Sequence, residues 1–333
     1  MFCGGEEIHP YALGVRDHLR IAQESHSFFR CRQCGSLRLV PLPTKEYLAK
    51  CYPQECHFNK ESGSPLRKLW NQLEWQLFYQ PILRLSTKRI AKETGVRSGK
   101  VLDLGCGNGL RLFQFSKAGY EAEGLDLAPV NIQYARDVLH LNVWEADVEE
   151  SDLPASRYNL VMVYWVLEHL SKPGELVQKV GNSLIPGGWA ILGVPLSDSW
   201  VSSLFRSFWG QIREAPRHMV IPSSSGMFRI LENNGFQNIK SRPVSPLELA
   251  GDVALTLWAR GNFFMTTGRW AFLKILDRIV VGLLTVLAIP PVYFLKTIGI
   301  KQGLAVFFAQ KKINASEKEN PAAFYHKEKQ IPV

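Results

Sequence analysis

Lys100–Leu110, KVLDLGCGNGL, is the stretch that decides the fold of this 333-residue chain. Val101, Leu102 and Leu104 make a short apolar run interrupted by Asp103, and Gly105, Gly107 and Gly109 follow at alternate positions. The run has the composition of a buried parallel strand, and the apolar spacing from Leu110 onward (LRLFQFSKAGY) predicts a helix packed on a sheet. Glycines at a strand-to-helix turn let the backbone approach a ligand with no Cβ between them. The helix that follows presents unpaired N–H groups. A carboxylate at this turn suits a cation better than a pyrophosphate. Taken alone, the turn leaves a dinucleotide-binding Rossmann unit open as the alternative.

The residues up to Pro195 narrow the choice. Glu121–Pro129 (EAEGLDLAP) predicts a second strand ending in Asp126, placed after the glycines where an acid accepts hydrogen bonds from ribose hydroxyls. Leu141–Pro154 predicts a third strand ending at Asp147, and Tyr158–Leu170 (YNLVMVYWVLEHL) a fourth running into Glu168 and His169. Leu184–Pro195 (LIPGGWAILGVP) is a turn and a fifth strand. These stations, in this order, resemble the class I S-adenosylmethionine (SAM) methyltransferases. The resemblance implies an α/β, Rossmann-like, seven-stranded fold and SAM as cofactor. The SAM contacts it implies are Asp103, Gly105, Gly107, Asn108, Gly109, Asp126, Leu127, Asp147, Val148 and Tyr164, with Asp147 facing the adenine amino group.

A methyl acceptor with an oxygen nucleophile needs a base near neutrality, which histidine supplies. His169, just past the fourth strand, and His218 are the candidates; a structural hydrogen bond is the alternative for His169. Leu167-Glu168-His169 also resembles the ubiquinone-type O-methyltransferases, whose Glu–His pair helps hold a divalent metal. Those relatives carry an acid three residues before the Glu, and Trp165 stands there in this chain. Ser197–Ser224 is aromatic, basic and broken by prolines, which predicts an irregular substrate lid at the carboxyl edge of the sheet. Arg217 and His218 are its expected polar contacts. A helix over Ser223–Gly235, a sixth strand in GFQNIKSRP and a seventh in Gly303–Lys312 complete the expected domain, 99–312.

Residues 1–60 predict a zinc-ribbon-like module built on Cys31-x-x-Cys34-Gly, with Cys3 as the end of a second knuckle. The partner of Cys3 would precede Met1. Three alternatives stay open: an upstream coding start, a decayed site, or substitution by Cys51, Cys56 or His57. Residues 61–98 predict a helical lead-in, with Pro81 separating two helices.

The insertion at 246–302 is the unusual part. Ile279–Leu295 holds 17 uncharged residues in a row, near the lower limit for crossing a bilayer, but Pro290-Pro291 interrupts it. A single crossing would also strand the seventh strand on the far side from its own sheet. Trp258, Phe263, Phe264, Trp270 and Phe272 alternate with Arg260, Arg269, Lys274 and Arg278, a mixture that a lipid headgroup layer accepts. The expectation is peripheral membrane contact through 253–298, with buried helices or a dimer interface as the alternative.

Composition sets the remaining bounds. A hydrophobic share of 46% excludes general disorder, and 39 basic against 30 acidic residues favour an anionic partner. Six cysteines suit a reducing compartment, and the first residues show no signal peptide. The expected location is therefore cytoplasmic, on the inner face of the membrane. The tail, 313–333, is polar and reads as disordered. The expected acceptor is a small molecule, a glycan or a lipid-linked compound. An RNA methyltransferase or nucleic-acid binder is a second reading. Against it, Tyr164-Trp165-Val166-Leu167 stands where a base-binding N-P-P-Y-type tetrapeptide would be. A catalytically silent SAM-fold scaffold is a third, opposed by the intact acids and glycines.

Overall fold

In the computed structural model, residues 2–52, 80–258 and 271–313 are described, with side chains from 279 in the last segment. Cys56, His57, the expected helix before Pro81, the aromatics at 263, 264 and 270, and the tail from Asn314 lie outside the described residues. The chain begins with three antiparallel strands, β1 (Ile8–Arg16), β2 (Ser25–Cys31) and β3 (Leu37–Leu39). A short helix α1 (Lys45–Lys50) is capped by Thr44, whose side chain accepts the Tyr47 N–H. Helix α2 (Gln80–Thr94) leads into the main sheet.

That sheet alternates strand and helix: β4 (Lys100–Leu104), α3 (Leu110–Lys117), β5 (Glu121–Asp126), α4 (Pro129–Asp137), β6 (Asn142–Glu145), β7 (Tyr158–Tyr164), α5 (Pro173–Ser183) and β8 (Leu184–Pro195). β4 pairs in parallel with both β5 and β7, so it is an interior strand, and packed layers cover both of its faces, which is why its residues are mostly apolar. Successive side chains serve opposite layers. Val101, Leu160, Met162 and Ile191 pack with Leu112 and Phe115 on one side. Leu102, Leu104, Val161 and Leu192 pack with Val177 and Met227 on the other. Each such fully buried side chain contributes about 1.5–3 kcal/mol before entropy is counted.

After β8 come α6 (Trp200–Phe205), two single 3₁₀ turns and β9 (Val220–Ile221). β9 does not join the main sheet. It pairs with β3, giving the order β1-β2-β3-β9, so the lid supplies the fourth strand of the N-terminal unit. Ser223 fastens the junction: its N–H donates to Ser36 Oγ (3.0 Å), and its hydroxyl caps the next helix at Gly226 N (2.9 Å) and bonds Cys34 O. Helix α7 (Ser224–Asn233), β10 (Phe236–Pro243), α8 (Pro246–Trp258), α9 (Ala271–Thr297) and β11 (Leu304–Lys311) follow. The order of the main sheet is β10-β11-β8-β7-β4-β5-β6, with β11 antiparallel between β8 and β10. The expected seven strands are all present.

One expectation fails locally. Pro290 and Pro291 do not break α9, which runs unbroken over 27 residues. The N–H groups they lack would have bonded the carbonyls of Val286 and Leu287, and both of those residues are exposed. The missing bonds therefore fall on the outer side of the helix.

Candidate functional site

The glycine turn closes β4 onto β5. Gly105 and Cys106 donate their N–H groups to Leu125 O, at 2.8 and 2.9 Å. Asp126 braces the turn from the end of β5: Oδ2 accepts from Gly107 N (2.8 Å), and Oδ1 from Ala128 N (2.9 Å) and Asn131 Nδ2 (3.3 Å). An ionised carboxylate has about four acceptor positions, so capacity for a ligand remains. Gly107 has φ +54°, and a Cβ built there meets nothing within 4 Å. Gly105, by contrast, abuts Val166, whose Cγ2 would lie 2.4 Å from an added Cβ. Asn108 is half-buried beside Gly107, and Gly109 caps α3 with φ +75°.

Around the turn, Leu127 is 65% exposed, an apolar side chain without cover beside the open glycine. Asp147 follows β6, and its carboxylate accepts Glu149 N (2.8 Å). Val148 packs half-buried against the same cluster as Val166. Asp103 is 3% exposed. Burial pushes its pKa up to about 7, with Arg111 pulling the other way and Asp126 adding to the rise. Tyr164, at the end of β7, has one ring face already engaged. The Arg111 guanidinium stacks on its ring at 3.6 Å and donates to Ser86 Oγ (3.0 Å), so the ring face is used to fix α2 to the sheet.

Beyond the carboxyl ends of β7 and β8 lies a cavity of about 370 Å³, walled by His18, Trp165, Glu168, His169, His218 and Asp252 among others. Glu168 is 1% exposed and its Oε2 has no hydrogen-bond partner among the described residues; burial pushes its pKa up to about 8. The sequence paired His169 and His218 as candidates, and the fold brings them together with ring centroids 4.7 Å apart. Each faces a carbonyl through Nδ1: Arg217 O at 3.1 Å for His169, Gln211 O at 2.8 Å for His218. A carbonyl only accepts, so each Nδ1 carries the proton and each Nε2 keeps its lone pair. Burial lowers the pKa of both, that of His218 to about 3. His218 is thus held neutral in the buried site. Asp252, which sequence reasoning missed, reaches the cavity from α8, and its Oδ1 accepts Gln211 Nε2 (2.8 Å). It lies within an apolar helix with nothing around it in sequence to mark it.

Arg217 is a correction. It was expected to meet substrate, but it is 3% exposed and fully engaged. Its guanidinium donates to Asp17 Oδ1 (2.8 Å) and Oδ2 (3.1 Å), to Glu214 Oε2 (2.7 and 3.0 Å) and to Cys51 O (3.1 Å). Glu214 also meets His18 Nε2 at 2.9 Å. Burial lowers the His18 pKa, but the hydrogen bond and charge of Glu214 outweigh it and the net shift is upward. This network bolts the lid to the N-terminal unit.

In that unit Cys3, Cys31 and Cys34 converge, with their sulfurs within 4.8 Å of one another. Cys3 and Cys31 sulfurs are 3.6 Å apart, and Gly5 N donates to Cys3 Sγ (3.3 Å). The set fits three corners of a zinc tetrahedron. Cys51 is elsewhere, and no fourth ligand stands among the described residues.

A methyltransferase-domain family model matches residues 70–241, more than half of the chain. The chain belongs to the SAM-dependent methyltransferases. This methyltransferase is 28% identical over 188 residues to the ubiquinone biosynthesis O-methyltransferase of Bordetella avium, covering 50% of this chain and 74% of that one. It is 30% identical over 127 residues to the protein of the same name from Leptothrix cholodnii, covering 34% of this chain and 53% of the other. Apart from the Bordetella protein, the methyltransferase spans about half the length of such curated relatives. A solved SAM-dependent methyltransferase from Archaeoglobus fulgidus aligns with 73% of this chain and 99% of its own, at 18% identity and a TM-score of 0.46.

Proposed function

We propose that the enzyme transfers the SAM methyl group to a hydroxyl oxygen of a small acceptor that it meets at a membrane surface. The observation that carries the reading is the cavity beyond the carboxyl ends of β7 and β8, where a buried carboxyl oxygen without a partner among the described residues and two neutral imidazoles gather. SAM fits the turn: Gly107 leaves open the space a Cβ would fill, and Leu127 offers an uncovered apolar surface. Asp103, Gly105, Gly107, Asn108, Gly109, Asp126, Leu127, Asp147 and Val148 would hold it. When bound, SAM supplies a methyl group activated by its sulfonium. The chain's own task is alignment, which is worth several kcal/mol of a barrier, together with exclusion of water. Glu168 and the two Nε2 atoms offer lone pairs that orient an acceptor hydroxyl. The O-methyltransferase names of the relatives support oxygen as the receiving atom.

The test is incubation with methyl-labelled SAM and either extracted membrane lipids or the water-soluble extract. An alkali-stable methyl ether in the lipid fraction supports the reading. Label confined to nucleic acid, or transferred to neither fraction, overturns it.

Asp103 gives a pH signature. A ligand ammonium beside it favours the carboxylate, while the free protein holds a proton there below about pH 7. Binding then releases that proton, so SAM affinity weakens as pH falls below about 7, by up to about tenfold per unit, and levels off above. Asp103→Asn should flatten the slope. Calorimetry in two buffers of different ionisation enthalpy reads the proton, and a slope unchanged in Asp103→Asn assigns it elsewhere.

Membrane contact rests on α9. Ile279–Thr297 has mean hydropathy 2.0 with only 11% of its hydropathy window buried, long and apolar enough to cross a membrane by length and composition. Ala288 and Val292 face the protein, while Ile279, Leu283, Val286, Leu287, Tyr293 and Phe294 are 52–71% exposed. Helix ends on both sides return to one folded domain, which suits lying in the interface. Between Val253 and Ser316 the sequence has one acid, Asp277, against eight Lys and Arg, which suits an anionic inner leaflet. The protein should float with vesicles containing phosphatidylserine, and Leu283→Glu with Leu287→Glu should leave it at the bottom of the gradient. Flotation unaffected by the double variant would remove α9 from the contact.

A further inference from the structure

We infer that the cavity beyond β7 and β8 holds its acceptor by an ammonium group, received by the indole of Trp165 and the carboxyls of Asp252 and Glu168. The acceptor is then a hydroxylated amine. This names the class of compound for the proposed function, and it rests on that reading only for the hydroxyl that is methylated.

The charges around the cavity do not balance. Its wall includes the acids Glu168, Glu214 and Asp252. With His169 and His218 held neutral, His18 is the one described wall residue able to carry positive charge near neutrality. That charge is already taken: His18 Nε2 lies 2.9 Å from Glu214, and its Nδ1 meets Arg213 O at 2.9 Å. Arg217 pairs with Asp17 and Glu214, so the network of two cations and two acids has no surplus positive charge. Glu168 and Asp252 have no counter-charge among the described residues, and Glu168 Oε2 and Asp252 Oδ2 have no hydrogen-bond partner there. Gln211 Nε2 donates to Asp252 Oδ1 (2.8 Å). The Trp209 indole N–H favours the Asp252 carboxylate from nearby, yet its Nε1 is likewise unpartnered. The two carboxyl residues are 1% and 4% exposed. Burial pushes the pKa of Glu168 up to about 8 and that of Asp252 up to about 6, with no basic group pulling either back. Buried carboxyls in this condition gain from a cation that enters and pairs with them.

Trp165 decides for an organic cation. Its backbone has φ +59°, a left-handed conformation that bulky residues seldom adopt. The Trp165 N–H donates to Gly193 O on β8 (3.0 Å), which fixes it there, and its half-buried side chain walls the cavity. Backbone strain of this kind, about 1–3 kcal/mol, persists only where the surroundings impose it and gathers at ligand sites. Tryptophan is the best aromatic partner for an ammonium group, and the attraction grows as the pair loses water. Leu255 and Leu304 supply apolar cover for a carbon skeleton, and about 370 Å³ admits a compound of one ring. The Nε2 atoms of His169 and His218 remain for the hydroxyl end.

The probes are tyramine, which carries a phenolic hydroxyl and an ammonium group, and tyrosol, in which a hydroxyl replaces the ammonium. Each is titrated calorimetrically into the full chain in the presence of EDTA, so that no metal mediates the binding. Tyramine should bind about tenfold or more tightly than tyrosol, a comparison that needs no variant to fold. Asp252→Asn should weaken tyramine about tenfold and leave tyrosol unchanged, and Trp165→Leu should weaken tyramine more than tyrosol. Retained SAM binding shows that each variant is folded. Equal affinity for the two probes, no tyramine bound at millimolar concentration, or tyramine binding that both substitutions leave unchanged, overturns the site. Tyramine bound as expected, with no methyl passing from SAM to the hydroxyl of any acceptor, keeps the ammonium site and sinks the oxygen-acceptor reading instead.

Discussion

Arg217→Ala should destabilise the protein by about 3–5 kcal/mol, read as a shift of the urea midpoint followed by tryptophan fluorescence. The magnitude follows from what the substitution leaves behind. The Asp17 side chain is 0% exposed and takes a two-pronged ion pair from Arg217 at 2.8 and 3.1 Å. The N–H groups of Leu19, Ile21 and Ala22 would still bond the carboxylate, at 3.0, 2.9 and 3.1 Å, but would not neutralise it. Glu214 would keep only His18, and the carbonyl of Cys51 would lose its donor. Arg217→Lys restores the charge without the planar fork, so it should recover only part of the loss. A loss below about 1 kcal/mol would show the network to be no more than an exposed surface pair in its effect.

How much of this was legible beforehand depends on the range of each interaction. The strands from β4 to β8 announce themselves locally, because each apolar run ends in a turn with its own acid or glycines, at Asp103, Asp126 and Asp147. The seventh strand, expected over Gly303–Lys312 from the resemblance, stands at Leu304–Lys311 with Phe307 and Phe308 buried. The lid was legible only as irregular. Its real organisation comes from a pairing across 200 residues, Asp17 with Arg217, and a single sequence carries no sign of such a pair. Arg217 therefore looked like a substrate contact when it is a bolt. Glu168 and His169 stood out through their position after β7, whereas their meeting with His218, and the orphaned Oε2, exist only in three dimensions. Tyr164 entered the cofactor set through the resemblance alone; that Arg111, brought there by α3, stacks on its ring was not visible in the sequence. The continuity of α9 was hidden for a different reason. Proline breaks a helix through the bonds and contacts at the fourth residue before it, and the sequence does not say that those positions face outward.

Gly107→Val should lower the affinity for SAM about a hundredfold, roughly 2.8 kcal/mol, with a smaller loss of folding stability. The two readouts separate because of where the glycine sits. A Cβ at Gly107 meets no atom of the described residues within 4 Å, so the fold has room for the side chain there and bears chiefly the backbone penalty at φ +54°, about 1–2 kcal/mol. The cofactor has no such room, since the space the valine enters is the one that glycine leaves open for it. Gly105→Ala is the contrasting control: its Cβ would lie 2.4 Å from Val166 Cγ2, so it should unfold the protein at lower temperature before any binding effect is read. Asp126→Ala should fall between them, costing about 1–3 kcal/mol of SAM affinity through the lost charge-assisted contact and the loosened Gly107 amide. Calorimetric titration with SAM, beside a melting curve for each variant, distinguishes the three. If Gly107→Val and Asp126→Ala both bind SAM as the parent does, the cofactor lies elsewhere along the sheet edge.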